Sequence, residues 1–421
     1  MWLKLLIHLY RIIVSILYVI SYPYLAKKYS QGLNERRGIY SKGFRKYLQG
    51  GKPLWVHSVS VGEVQSALPF IHEVTEAGFP GQVVLSTTTT TGMEMAERLL
   101  PSPEVRHFYY PWDIPWIVKR SIDSIEPYAY VVMETEIWPN LIYEMHKRGI
   151  PVFLVNGRFS DRSFEKRKGK SGFWCELFSL FTLIMVREES DLNKFKALGV
   201  PENKVVVTGD CKVDALIRRA ERTDLSRIRS ILGDTSPVFM AGSTHTGEDI
   251  AVLEAFRILR KTEKTARLIL APRHPERSHK VREMALEYGK VSLLSQNKGD
   301  HWDILVVDSI GYLFEMYGVA DGAFVGGSLV PKGGQNILEP ALFGIPVAHG
   351  PFMEDFRETS EKLGSLGIAC IVNTPQELAC EWKKALDPSR KKVVKDLSRK
   401  FFEEVSGASK LSWDLVMKYI S

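Results

Sequence analysis

The stretch Val325–Ala341, VGGSLVPKGGQNILEPA, holds the densest set of residues able to do chemistry. It reads as a buried strand, a glycine-rich turn and a helix starting near Asn336. Gly326 and Gly327 would let backbone N–H groups approach a phosphate closely, Ser328 adds a hydroxyl, and the helix N-terminus adds partial positive charge. Glu339, at the start of that helix, is placed to accept hydrogen bonds from a ribose. These parts describe a nucleotide-sugar site, although a plain strand–turn–helix connection shares the pattern.

Other segments repeat the arrangement of polar groups at the end of a strand. Ala241–Glu248 (AGSTHTGE) opens a helix, and Ser243 with its neighbours suits either a phosphate or an ordinary helix cap. Pro272–Arg277 (PRHPER) offers Pro272, Arg273, His274 and Arg277; arginine pairs bidentately with phosphate or carboxylate, or forms a surface ion pair. Ser309–Tyr312 could contact a base or ribose. In the first half, His57–Glu63 (HSVSVGE), Met133–Asn140 (METEIWPN, with Glu134 and Glu136), Asn156–Ser160 and Gly209–Asp214 form a similar rim. Lys212 in the last of these could neutralise a phosphate. Glu35 sits between Gln31 and Gly38 among basic residues, and reads either as a general base or as an ion-paired glutamate.

Several signatures fail. Gly169-Lys170-Ser171 ends like a P-loop, but Phe164 stands where the first glycine belongs. His72-Glu73 is followed by Glu76 rather than a second histidine, which excludes a zincin helix. No GxSxG elbow and no Asp-x-Asp metal clamp occurs, so the expectation is a reaction without metal or other cofactor. The four cysteines (Cys175, Cys211, Cys370, Cys380) form no CxxC pair, which fits a reducing compartment.

The elements that must position these groups follow from the pattern of the chain. Its 421 residues are enough for two or three domains, with an ordinary 45% hydrophobic and 25% charged content. From residue 53, short apolar strands alternate with helical segments: Leu54–Val61, Val83–Leu85, Tyr130–Met133, Val152–Val155, Leu183–Val186 and Val205–Val207. A polar helical stretch, Asp214–Leu232, leads to the linker Gly233–Pro237. The rhythm then restarts with Val238–Ala241, Arg267–Ala271, Ile304–Val307, Gly322–Val325 and Ile345–Ala348. The expected fold is α/β: two doubly wound, Rossmann-like parallel sheets, hinged near residue 235 with a cleft between them, ligands binding beyond the carboxyl ends of the strands. The expected domains are residues 29–232 and 233–421, after a membrane-associated segment at 1–28.

The formal charge of +7 is local, because residues 1–50 hold nine basic residues against Glu35 alone. They flank the apolar run Leu5–Ala26, long enough as a helix to cover about 33 Å. His8 and Arg11 interrupt it, so it reads as a membrane anchor, an interfacial helix or a buried core helix. No small-residue cleavage site follows, and the excess of positive charge after the run would keep the bulk of the chain on the cytoplasmic side. Basic residues beside an apolar helix favour anionic headgroups over nucleic acid.

HSVSVGE, METEIWPN, the Asn156–Ser160 block, TGDCKVD, GSTHTGE, PRHPER and GGSLVPKGGQNILEPA, in this order, resemble the Kdo transferases, which move 3-deoxy-D-manno-octulosonic acid (Kdo) from CMP-Kdo onto a lipid A precursor. The resemblance runs from about residue 31 to 350. It implies a GT-B arrangement and an inverting, metal-independent mechanism. It also places the enzyme at the cytoplasmic face of the inner membrane of a Gram-negative-type cell. It makes Glu35 the base, with Glu134 and Lys212 steadying transition-state charge and Glu136 a second choice. Pro272, Arg273, the segment Gly311-Tyr312-Leu313 and Asn336-Ile337-Leu338-Glu339 would hold CMP. Gln335, Ile337, Tyr312 and Gly157 depart from the residues usual in that family. Two rivals stay open on sequence alone: a sugar-nucleotide epimerase or hydrolase of the same architecture, and a non-catalytic membrane-bound nucleotide-binding module.

Overall fold

The computed structural model describes residues 2–100, 104–232, 237–297 and 301–420. The expected linker at 233–236 lies outside them. Two compact units form, Met1–Ala215 with Val405–Ser421, and Leu216–Glu404.

Each unit is built on a seven-stranded, wholly parallel sheet. In the first, β1 (Leu54–His57), β2 (Val83–Thr87), β3 (Val105–Tyr109), β4 (Ala129–Met133), β5 (Val152–Gly157), β6 (Leu183–Val186) and β7 (Val205–Val207) lie in the order β3-β2-β1-β4-β5-β6-β7. In the second, β8 (Val238–Thr244), β9 (Arg267–Pro272), β10 (Val291–Leu293), β11 (Ile304–Val306), β12 (Gly322–Val325), β13 (Val347–His349) and β14 (Ala369–Ile371) lie in the order β10-β11-β9-β8-β12-β13-β14. Helices cover both faces, so the central strands are buried throughout and read as unbroken apolar runs. Strand order reverses between β1 and β4 in one unit and between β8 and β12 in the other. Such switch points open a crevice at the carboxyl edge of a sheet.

Besides lacking three edge strands (β3, β10 and β14), the sequence-based outline differs from the structure in three respects. The strand expected over Leu54–Val61 stops at His57, and a helix begins at Val61. The stretch Asp214–Leu232 is two helices, Cys211–Glu221 and Ser226–Leu232, and the boundary between units falls at 215/216. The last helix, Ala408–Ile420, belongs to the first unit rather than to a domain running to 421. Trp413 packs against Phe70 and Phe79, with ring centroids 6.1 and 5.6 Å away, and Asp214 accepts 2.7 Å hydrogen bonds from the Gly407 and Ser409 N–H groups.

The apolar N-terminal run is a helix, Trp2–Lys28, whose segment Leu5–Lys28 has a mean hydropathy of 1.8 and is long enough to cross a membrane. One of its faces docks on the first unit. Ile7 is fully buried, the Tyr10 hydroxyl donates to Asp113 (3.0 Å), Arg11 lies over the Tyr143 ring, and Tyr18 meets Trp112 edge-on at 5.4 Å. The opposite face leaves Leu9, Ile13, Ile16 and Ile20 exposed.

Candidate active site

Glu35 lies on a single helical turn, Leu33–Arg36. Gly32 precedes it in the left-handed region (φ +69°), where a Cβ would stand 1.8 Å from the Tyr109 ring, so only glycine allows this approach. The turn thereby sets Glu35 Oε2 to accept from the Tyr109 N–H at 2.8 Å, at the end of β3. Burial raises the Glu35 carboxyl above its usual range, against the lowering effects of that hydrogen bond and of Arg36. Arg36 is itself buried, donating to the Thr88 carbonyl (2.8 Å) and stacking 4.4 Å from the centre of the Tyr109 ring. Arg36 thus holds the turn in place, and among the described residues Glu35 makes no ion pair of the kind left open by the sequence.

A second cluster sits at the ends of β4 and β5. Glu134, buried and with φ +54°, takes Lys212 Nζ on Oε1 at 2.8 Å and Arg158 Nε on Oε2 at 2.9 Å. Burial pushes its pKa up, but the two cations outweigh burial and hold it below the usual carboxylate range. Asn156, at the end of β5, accepts from the Cys211 N–H (3.0 Å) and so anchors the helix start that presents Lys212. A non-glycine residue in the left-handed region, held by two ion pairs, is a common mark of a functional site. Glu63 accepts from the Val59 N–H at 2.6 Å; burial, then repulsion from Glu134 and Glu136, lift its pKa to about 7. Glu136 is also raised, first by burial and then by Glu134, with Arg167 opposing. Glu35 and this cluster are not neighbours. Glu35 is tied to the end of β3 and Glu134 follows β4, and these strands are three places apart, about 14 Å across the sheet.

In the second unit the structure gives several expected phosphate contacts other partners. Glu248, fully buried at a helix start, accepts from the N–H groups of Gly327 (2.7 Å), Ser328 (2.9 Å), Leu329 (2.9 Å) and His245 (2.8 Å). Gly326 N–H donates to Gly242 O (2.8 Å), and the buried Ser328 hydroxyl is fixed between Val325 O and Gly350 N–H. The glycine loop at Gly326-Gly327-Ser328 is thus shaped by an internal carboxylate, which no reading of the loop alone reveals. Arg277 likewise donates to Thr244 O (2.9 Å) and pairs with the buried Asp249, while Ser243 is nine-tenths buried in a left-handed conformation. Ile337 is fully buried.

The remaining expected groups stay accessible. Arg273 and His274 are exposed just past β9, and among the described residues Arg273 makes no ion pair. His274 lies 5.9 Å from the His245 ring, edge-on. Gly311 is exposed with φ +103°, and Tyr312 and Leu313 begin the short helix Leu313–Tyr317. That helix packs on Leu338–Leu342, which brings the Gly311–Leu313 and Asn336–Glu339 segments together. Asn336 Oδ1 accepts from Leu338 N–H (3.1 Å). Burial raises the Glu339 carboxyl, with Arg219 and Asn336 opposing. Arg219, 4.1 Å from the Phe314 ring centre, was not anticipated: it lies about 120 residues away from Glu339 in the chain, a separation no motif spans. Glu63 and Arg158 were also unassigned beforehand, although both fall inside segments marked as polar strand ends.

Residues 31–215 match the family model described as 3-Deoxy-D-manno-octulosonic-acid transferase (kdotransferase). The 3-deoxy-D-manno-octulosonic acid transferase of Haemophilus influenzae is 33% identical over 349 residues, covering 81% of each chain. The chain belongs to the 3-deoxy-D-manno-octulosonic acid transferase family. Its relative of the same description from Bordetella pertussis is 30% identical over 383 residues, 87% of each chain. The solved UDP-GlcNAc 2-epimerase of Neisseria meningitidis, bound to UDP-GlcNAc, has a TM-score of 0.62 at 14% identity, covering 87% of this chain and all of that one. A glycosyltransferase of Rickettsia africae has a TM-score of 0.57 at 12% identity, covering 87% and 97%. These two likenesses concern the fold alone: two Rossmann-like units of the GT-B class. Family and fold together make the protein a glycosyltransferase.

Proposed function

We propose that this transferase moves Kdo from CMP-Kdo onto a lipid A precursor (lipid IVA) in lipopolysaccharide biosynthesis, with inversion and without a metal. In this reading the first unit activates the acceptor and the second holds the donor. The observation that carries it is Glu35, a half-buried carboxylate fixed by one backbone N–H, with its pKa raised towards the range a general base needs. It would take the proton from the acceptor hydroxyl as that oxygen attacks the anomeric carbon of Kdo. The bond to CMP breaks on the opposite face, and CMP departs with the bonding pair. Arg273, His274 and the Asn336–Glu339 turn would receive the CMP phosphate and ribose, with Gly311-Tyr312 beside the base. Glu134, locked between Lys212 and Arg158, would keep fixed charges near the reacting sugar, where preorganised dipoles and cations lower the barrier.

The exposed apolar face of the N-terminal helix and the basic residues after it support attachment to a membrane surface, on the cytoplasmic side of a Gram-negative inner membrane in this proposal. The test is transfer from CMP-Kdo, generated in situ, to a tetraacylated lipid A precursor, with and without EDTA. Wild-type transfer that survives EDTA and disappears in Glu35→Ala, with CMP binding retained, is the expected result. No transfer by folded, CMP-binding wild type would overturn the assignment.

A further inference from the structure

We propose that a cavity beside the N-terminal helix binds the phosphate headgroup of an anionic membrane phospholipid. The inference rests on the membrane-surface reading above and adds a defined site to it. The cavity holds about 320 Å³ and is lined by Tyr18, Tyr22, Arg37, Trp116 and Arg120, among others. That is the low end of ligand-pocket sizes, suited to a headgroup rather than to a whole lipid. Its charged lining consists of two guanidinium groups and no carboxylate. Among the described residues, neither Arg37 nor Arg120 has an ion-pair partner. Arg120 is held by a hydrogen bond to the Arg37 carbonyl (3.3 Å), and the Arg37 guanidinium lies 5.6 Å from the centre of the Tyr22 ring.

The walls are as telling as the charges. Tyrosine and tryptophan are the residues that settle where hydrocarbon meets headgroups. Here Tyr18 and Trp116 meet edge-on at 5.9 Å, and Trp116 is 44% exposed. The exposed stripe of Ile16, Val19 and Ile20 runs along the same helix, where acyl chains could cover it while the phosphate enters the cavity. Two cations left unpaired at the edge of an apolar surface call for an anion supplied with that surface, and arginine forks match phosphate oxygens bidentately.

The test is flotation of the full-length protein with vesicles of phosphatidylcholine, with or without phosphatidylglycerol. Arg37→Gln with Arg120→Gln should weaken binding to phosphatidylglycerol vesicles roughly twenty-fivefold, at about fivefold per cation, and leave binding to pure phosphatidylcholine unchanged. Lys42→Gln with Lys46→Gln removes the same charge from exposed positions outside the cavity, and should weaken binding by much less. Equal losses from the two pairs would reduce the site to diffuse surface charge and overturn the proposal, as would no loss from the arginine pair. Should the double variant not fold, the exposed Arg120→Gln alone should show the fivefold loss. Kdo transfer in detergent is measured alongside and should stay unchanged in the arginine variants. A raised acceptor KM with undiminished vesicle binding would place the acceptor's own phosphate in the cavity and overturn the phospholipid assignment. Absence of transfer in wild type that still prefers phosphatidylglycerol would remove the catalytic reading and leave this site standing.

Discussion

Glu248 offers the sharpest separation between a loop shaped by the protein and a loop shaped by a ligand. Its Oε2 receives the His245 and Gly327 N–H groups and its Oε1 those of Ser328 and Leu329, all within 2.7–2.9 Å and shut off from solvent. Glu248→Gln converts one oxygen to an NH₂ group. In either orientation of the amide, two backbone donors then face a third donor. Hydrogen bonds to a charged group contribute about 1.5–3 kcal/mol each, so two lost bonds amount to about 3–6 kcal/mol, before any relaxation. That is large for a substitution that preserves volume.

The readout should be local, because the affected amides sit in one loop. Hydrogen exchange followed by mass spectrometry should show protection of the Gly327, Ser328 and Leu329 amides falling by between about a hundredfold and ten-thousandfold in Glu248→Gln. Peptides from the first unit should exchange as in wild type. Wild-type protection in the variant, with CMP binding lost instead, would mean that those N–H groups wait for the donor's phosphate. The internal-cradle reasoning would then be wrong.

Three further outcomes follow from the first unit. Glu35→Gln should lower kcat about 10²–10⁴-fold with CMP binding intact. Because burial raises the Glu35 pKa, the wild-type rate should fall with acidification at a pH above the ordinary carboxylate range; an acid limb at or below that range, read from kcat/KM against pH, would remove Glu35 as base. Lys212→Met leaves the buried Glu134 with Arg158 as its one remaining ion-pair partner among the described residues, beside the Ser66 hydroxyl that donates to Oε1 at 3.3 Å. It should cost about 2 kcal/mol by denaturant titration, a figure reduced because the lysine is a third open to solvent, and no stability change would show that Arg158 suffices. Glu63, with a folded pKa of about 7 against an ordinary 4.5, favours the folded state fully only below pH 4.5 and loses that contribution as pH rises through 7. Glu63→Gln should therefore match wild type near pH 4 and exceed it by up to about 3 kcal/mol at pH 8. A difference in unfolding midpoint that does not vary with pH would contradict the burial argument.

How far the chain could be read before folding depended on where each element sits. Central strands such as Val83–Leu85, Tyr130–Met133 and Val152–Val155 are buried on both faces and announce themselves as apolar runs. The three unrecognised strands, β3, β10 and β14, are all sheet edges. Each has a face partly open to water; Arg106 and His107 in β3 and Ser292 in β10 break the apolar pattern, and β14 (Ala369–Ile371) is only three residues long. The last helix was assigned to the wrong neighbour because Trp413 packs against Phe70 and Phe79, more than 330 positions earlier, which periodicity cannot report.

The candidate site divides along the same line. Strand-end motifs marked the right neighbourhoods, since polar groups next to buried strands have few other reasons to be there. Partner choice was not legible, because it depends on contacts across the sheet. Glu35 owes its position to an amide of the unrecognised strand β3, and the glycine loop owes its shape to Glu248, which looks like a routine helix-start acid in sequence. The two carboxylates illustrate opposite fates of one residue type. Glu248 meets four donors, which satisfy its charge and leave no lone pair directed at a substrate. Glu35 meets one backbone donor in a half-buried setting, so its second oxygen keeps the capacity to accept a proton. A base has to be held but not saturated, and of the carboxylates fixed by backbone N–H groups at these strand ends, Glu35 and Glu63 meet that condition. Glu63, on the same unit, stands beside two other acids and Lys212, whereas Glu35 follows the apolar helix by a few residues, among the basic residues after it. For an acceptor that arrives from a membrane, that location favours Glu35 as the group that takes the proton.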